Sequence, residues 1–258
     1  VNKRLSGTSV RRQSGFTLLE IIVVAAIFLI LAALVVPVYS SFVTRGFQNA
    51  ALSNMRQLSA AFGTFAAQND GRFPTEDAPG ANSWEAAAAP SNDKVWYNAL
   101  PRAMNSKGVG DYASNPTAFY LKSNILFLPG ARYPKGGKLE RPLFAIAMNS
   151  RLQRKDKDGI KSDMRIGQIV APSRTVLLFE QGLKGEKKSN GGAQGAYDGA
   201  PKGTARSFVA RYNGQGVVAF VDGHAELFKP SDLLTETGRL PFPQNDVVWT
   251  LDPEKDPN

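Results

Sequence analysis

The sequence predicts an α+β protein in which a long N-terminal helix, membrane-spanning in its first half and amphipathic in its second, packs on an antiparallel β-sheet head. Three observations predict it. Residues 21 to 36 form an unbroken apolar run of sixteen. An apolar stripe at helical spacing follows from Phe47 to Phe65. Beyond Gly71 the apolar segments become short, β-branched or aromatic, and separated by turn residues.

From Phe16 to Val36 there are 21 residues, interrupted by a single charge at Glu20. A helix of that length spans about 31 Å, close to the ~30 Å hydrocarbon core of a bilayer. Lys3, Arg4, Arg11 and Arg12 lie before the run, and the next charge after it is Arg45. The positive-inside rule therefore leaves the N-terminus cytoplasmic and the head outside the membrane. A secretory signal peptide would carry its small-residue cleavage site after the apolar run. Here Pro37-Val-Tyr-Ser-Ser follows the run, and the small residue, Gly15, stands before it.

Glu20 requires a reason, because a carboxylate inside a membrane helix costs about 2.5 to 3.5 kcal/mol on insertion scales. A cut after Gly15 would expose the amino group of Phe16 about one helical turn away. In a bundle of identical helices, that cation and Glu20 can neutralise one another, so Glu20 would set register and assembly.

The stripe Phe47, Ala51, Met55, Leu58, Phe62 and Phe65 recurs at steps of four, four, three, four and three, with Gln48, Asn49, Ser53, Arg56 and Gln57 on other faces. It predicts a helix over 37–69 that presents an apolar face to the head and stops at Asn69-Asp70-Gly71. Pro37 removes a backbone donor and predicts a kink there. Residues 70–93 read as a structured loop holding a short helix from Trp84. The expected strands are 125–128, 143–148, 175–180, 207–210, 217–221 and 224–228. The last two flank Asp222-Gly223, read as a two-residue hairpin turn of the primed type.

The chemistry of the head is sparse. There is no cysteine, hence no disulfide, thiolate site or cysteine nucleophile. The net charge is +9, but four of those positive charges lie in the first fifteen residues, leaving +5 on a chain that begins at Phe16. The remaining basic residues are scattered among acids, which speaks against nucleic acid as the main partner. His224 is the sole histidine, and Asp222 beside it is accounted for by turn chemistry, so no enzymatic activity is expected.

Ser14-Gly15-Phe16-Thr17-Leu18-Leu19-Glu20, the apolar run and Pro37 together resemble the processing and methylation motif of type IV prepilins and type II secretion pseudopilins. The resemblance implies a leader over 1–15, an assembly helix over 16–36 and a periplasmic or extracellular head over 70–258. It implies cleavage after Gly15 and methylation of Phe16 by a prepilin peptidase/N-methyltransferase, with Glu20 as the assembly residue. The implied partners are other pilin or pseudopilin subunits and an inner-membrane assembly platform. The implied location is a single pass of the inner membrane, then a pilus or pseudopilus that extends to the cell surface in some systems. The function implied is that of a structural filament subunit. The alternative is a membrane-anchored enzyme or binding protein that uses residues 16–36 only as a tether.

At the other end, Arg211-Tyr212-Asn213-Gly214 and Phe220-Val-Asp-Gly-His224 resemble the C-terminal pattern of planctomycete and verrucomicrobial prepilin-like proteins. That pattern is a His, nine residues, then Asp-Gly. Tyr212 stands where its His would be. Some pseudopilins bind calcium in a head loop, and Asp156, Asp158 and Asp163, with oxygens from 190–198, are the candidate ligands here. The spacing lacks the EF-hand pattern, and Lys155, Lys157 and Lys161 oppose a divalent ion. The expectation is a solvated turn and no cofactor.

Overall fold

The computed structural model describes residues 15–76, 81–134, 139–153, 164–189 and 195–258. The first helix, α1, runs over Leu18–Gln68, and position 37 lies inside the helical span. By compactness the chain divides into a unit ending at Val43 and a second unit from Thr44 to Asn258.

In the first unit the helix is apolar on every side and uncovered by protein: Ile21, Val24, Phe28, Leu31 and Val35 are each at least half exposed. The segment is long and apolar enough to cross a membrane. A helix with no polar face has no soluble resting place, so this surface calls for lipid or for other apolar helices.

In the second unit the remaining helical turns place the predicted stripe inward. Ala51, Met55, Leu58, Phe62 and Phe65 are buried, and Phe47 packs at the edge of the same core. Phe62 meets Phe73 edge-to-face at 4.7 Å. Polar contacts fix the docking: Arg56 Nη2 donates to the Ala225 carbonyl at 3.1 Å, and the Ser59 hydroxyl donates to that of Phe220. The helix stops as its sequence predicts. Asp70 and Gly71 take left-handed φ of 55° and 75°, and the Gly71 N–H returns to the Ala66 carbonyl at 2.7 Å.

The same core holds a cluster of aromatic side chains. The short helix expected at Trp84 is α2, Trp84–Ala88, capped by the Ser83 hydroxyl accepting from the Ala86 N–H at 3.0 Å. A further helix, α3 over Trp96–Ala103, had no predicted counterpart, since Pro101 sits within it and the segment is short. Trp96, Tyr97, Phe119 and Phe144 pack in edge-to-face and tilted pairs with centroids 5.1 to 6.1 Å apart.

The sheet contains β1 (Ile146–Asn149), β2 (Val176–Glu180), β3 (Lys202–Gly203), β4 (Gly216–Phe220) and β5 (Ala225–Phe228), in the order β3-β1-β2-β4-β5. Its pairs are antiparallel except β1 with β3, a parallel pair of two residues that makes the sheet mixed. Alternate residues face opposite sides. Ile146, Met148, Val217 and Ala219 join the core under α1, whereas Ala147, Phe179, Val218 and Phe220 join a second core on the other face. An irregularity between Val176 and Leu178 breaks the alternation, which is why Leu177 and Leu178 both enter the α1 core. The second core is closed by the C-terminal segment through Leu233 of α4 (Pro230–Leu233), Leu234, Leu240 and Trp249.

Two expected strands are absent. At 125–128 the Asn124 side chain accepts from the Leu126 N–H and donates to the Phe119 carbonyl, folding the backbone into turns. At 207–210 the chain makes a short 3-10 turn and one isolated bridge, Gln181 to Phe208. The Phe208 carbonyl there accepts from the Tyr197 hydroxyl rather than from a neighbouring strand.

The hairpin at 222–223 exists with a different turn. Phe220 N–H donates to the His224 carbonyl at 2.9 Å, enclosing Val221, Asp222 and Gly223, and only Gly223 of these takes a positive φ, 104°. It is a three-residue loop with glycine in the left-handed position. The two-residue primed geometry occurs instead at Asn213-Gly214, with φ of 50° and 81° and reciprocal bonds between Tyr212 and Gln215.

Candidate functional site

Residues 15–17 precede the helix in irregular backbone, so the Gly15–Phe16 peptide bond lies outside the α1 hydrogen-bond ladder. Phe16 is 85% exposed, and a side chain added at Gly15 would meet nothing within 4 Å. Among the described residues no contact therefore requires glycine at position 15.

The start of α1 is a capping box. The Thr17 hydroxyl lies 3.3 Å from the Glu20 N–H that donates to it, and Glu20 Oε2 accepts from the Thr17 N–H at 2.7 Å and the Thr17 hydroxyl at 2.9 Å. Thr-x-x-Glu directly before an apolar run is the sequence signature of this motif. Glu20 is therefore a helix cap as well as the expected assembly residue. The carboxylate thus sits one residue from the Phe16 nitrogen, on the helix turn where the peptide dipoles present positive charge.

Among the described residues the other sequence candidates do not converge on a site. Asp156, Asp158 and Asp163, Asn190 and the leader up to Ser14 lie outside the described residues. Among the described residues no group of three or more His, Asp or Glu could hold a metal ion. Asp198 is used locally, its Oδ1 accepting from the Ala200 N–H at 3.1 Å. Asp222 Oδ1 accepts from the His224 N–H at 3.2 Å and lies 2.6 Å from His224 Nδ1, while the imidazole stacks on Phe220 at 4.3 Å. Both side chains have local structural partners. Tyr212 is buried beside Arg211 and Glu180, a cluster that no local sequence pattern assembles.

The exposed, glycine-preceded junction in front of a self-capped apolar helix has a counterpart among known families. Residues 10–36 match the model of the prokaryotic N-terminal methylation motif. No curated protein and no solved structure matches the chain. The methylation motif spans Gly15, Phe16, the capping box and the apolar run, so the N-terminal segment is of prepilin type. The match stops at Val36, and the head lies beyond it.

Proposed function

We propose that this chain is a structural subunit of a type IV pilus-like filament or a type II secretion pseudopilus. It is cut after Gly15, methylated on the new amine of Phe16, and assembled through residues 16–36. The reading is carried by the methylation motif falling on an exposed bond directly before a helix that is apolar all round. Glycine at a position with open space around it fits a requirement imposed by a peptidase rather than by the fold. Hydrolysis there leaves the Gly15 carboxylate on the leader and a free amine on Phe16. Glu20, already turned back onto the Thr17 N–H, is placed to neutralise that amine on its own helix or a neighbour's. The precursor crosses the inner membrane once with its head in the periplasm, and the chain acts as substrate of the processing enzyme rather than as an enzyme.

The test is intact mass and N-terminal peptide mapping after membrane expression with and without a prepilin peptidase. A product beginning at N-methylated Phe16 supports the reading; an uncut chain, or one cut beyond Val36, removes it. Glu20→Gln then separates subunit from tether. It keeps an oxygen to accept from Thr17 but has no charge, so a tether would still anchor the head whereas a filament subunit would be processed and fail to assemble.

A further inference from the structure

Where β2 ends, three charged side chains are packed out of water. Arg211 is 4% exposed, Glu180 0% and Glu186 6%. Arg211 gives its Nε and Nη2 edge to Glu186, at 3.0 and 2.7 Å, and Nη2 also donates to the Gln181 carbonyl at 2.6 Å. Glu180 receives one bond, from Nη1 at 3.1 Å. Glu186 is further satisfied by the backbone N–H groups of Arg132 and Leu183, at 2.9 and 2.8 Å. Glu180 Oε1 and the Tyr212 hydroxyl are both buried and find no hydrogen-bond partner among the described residues.

One guanidinium therefore faces two carboxylates, and it is committed to Glu186. With both acids ionised the cluster would bury a net negative charge and an unpaired carboxylate oxygen, a costly arrangement in a low dielectric. A single proton on Glu180 removes both penalties, giving a neutral cluster and an O–H beside the Tyr212 hydroxyl. We propose that Glu180 is a proton-loaded latch: protonated, it holds loop 181–189 against the turn at 211–215, and its ionisation releases that loop.

The surrounding charges agree. Burial, opposed in part by Arg211 and by the facing Tyr212 hydroxyl, pushes Glu180 up to about 7, and Glu186 adds to the rise. Burial also pushes Glu186 upward, but its bonds from Arg211 and the two backbone N–H groups outweigh that and hold it below the usual carboxylate value. Tyr212 and Tyr133, the remaining titratable groups around Glu180, are both raised by burial and stay neutral. A groove of about 360 Å³, lined by Gly130, Arg132, Glu186, Lys187, Val209 and Arg211, lies directly against the cluster and gives water a way in once the latch ionises.

The sign follows from the raised value. Stability from the protonated acid is complete below the unfolded value of 4.5 and is lost as pH rises through about 7. For the full chain in detergent micelles, the folding constant from denaturant titration should fall on the order of 50- to 100-fold between pH 5 and pH 8. In Glu180→Gln, a neutral isostere, it should stay within about threefold. Tryptic cleavage after Lys184, Lys187 and Lys188, measured relative to Glu180→Gln at the same pH, should increase about tenfold from pH 6 to pH 8 if the folding constant follows this titration. Glu186→Gln supplies the check should Glu180→Gln not fold: it frees Arg211 for Glu180, and the fall with pH should shrink. A native chain with no fall, an equal fall in Glu180→Gln, an unchanged cleavage ratio, or an undiminished fall in Glu186→Gln would each overturn the latch.

Discussion

Phe62→Ala tests whether the second half of α1 is part of the head's core. Phe62 is fully buried and its ring contacts Phe73 at 4.7 Å and 78°. Truncation removes a benzyl group from a site held by β-sheet and helix backbone, which has little freedom to collapse. Loss of transfer energy and the residual cavity place the cost at about 4 kcal/mol, and the edge-to-face pair falls within that loss. In a unit of this size each kcal/mol lowers Tm by about 2 to 4 °C, so the expected drop is about 8 to 16 °C. The assay is thermal unfolding of the full chain in micelles, followed by near-ultraviolet circular dichroism of the head's tryptophans. The far-ultraviolet signal would be dominated by the apolar helix. Gln57→Ala, on the exposed face of the same helix, is the control and should stay within about 0.5 kcal/mol. If Phe62→Ala shifts the transition no more than Gln57→Ala does, the stripe is not docked and the argument from periodicity to packing fails.

Other expectations follow from particular contacts, all read by the same unfolding assay. Asn149 is fully buried and donates to the Val176 and Trp249 carbonyls at 2.9 and 3.0 Å while accepting from the Arg151 N–H at 3.0 Å. Asn149→Ala leaves those groups unpaired between the sheet and the C-terminal segment and should cost about 3 kcal/mol or more. A Cβ at Gly182 would lie 2.1 Å from the Tyr197 ring, which is pinned by its hydroxyl to the Phe208 carbonyl at 2.8 Å. Gly182→Ala should therefore cost about 1 to 3 kcal/mol through overpacking. Gly223→Ala should cost more than about 1 kcal/mol because of its φ of 104°, and Asp222→Asn, which keeps the acceptor for the His224 N–H, should be close to neutral.

The sequence was sufficient for the local decisions. The apolar run, the stripe from Phe47 to Phe65, the stop at Asn69-Asp70-Gly71 and the methylation motif each depend on residues within a few turns of one another, and periodicity reads such patterns directly. The capping box was equally local. Thr17 and Glu20 carry its signature, although a charge in an apolar run points first to the membrane and to assembly. At Asn213-Gly214 and Asp222-Gly223 the sequence identified glycine turns but not their lengths, since two- and three-residue loops share those residues and the pairing of flanking strands chooses between them.

One further decision was local: Asn124 withdrew 125–128 from the sheet by capturing the Leu126 N–H and the Phe119 carbonyl. Tertiary structure decided the rest, and Tyr197 claimed the Phe208 carbonyl that a strand would have used. The C-terminal segment covered the second face of the sheet, so strands that periodicity would call one-sided are buried on both. Glu180, Glu186 and Arg211 read in sequence as three ordinary surface charges spread over 32 positions. Their burial around a single guanidinium arises from where β2 ends and where the chain returns. Local sequence fixes backbone preference and the spacing of apolar residues. Which polar groups lose their water depends on chain segments far apart in sequence meeting in space, and that is where this protein's charge chemistry is determined.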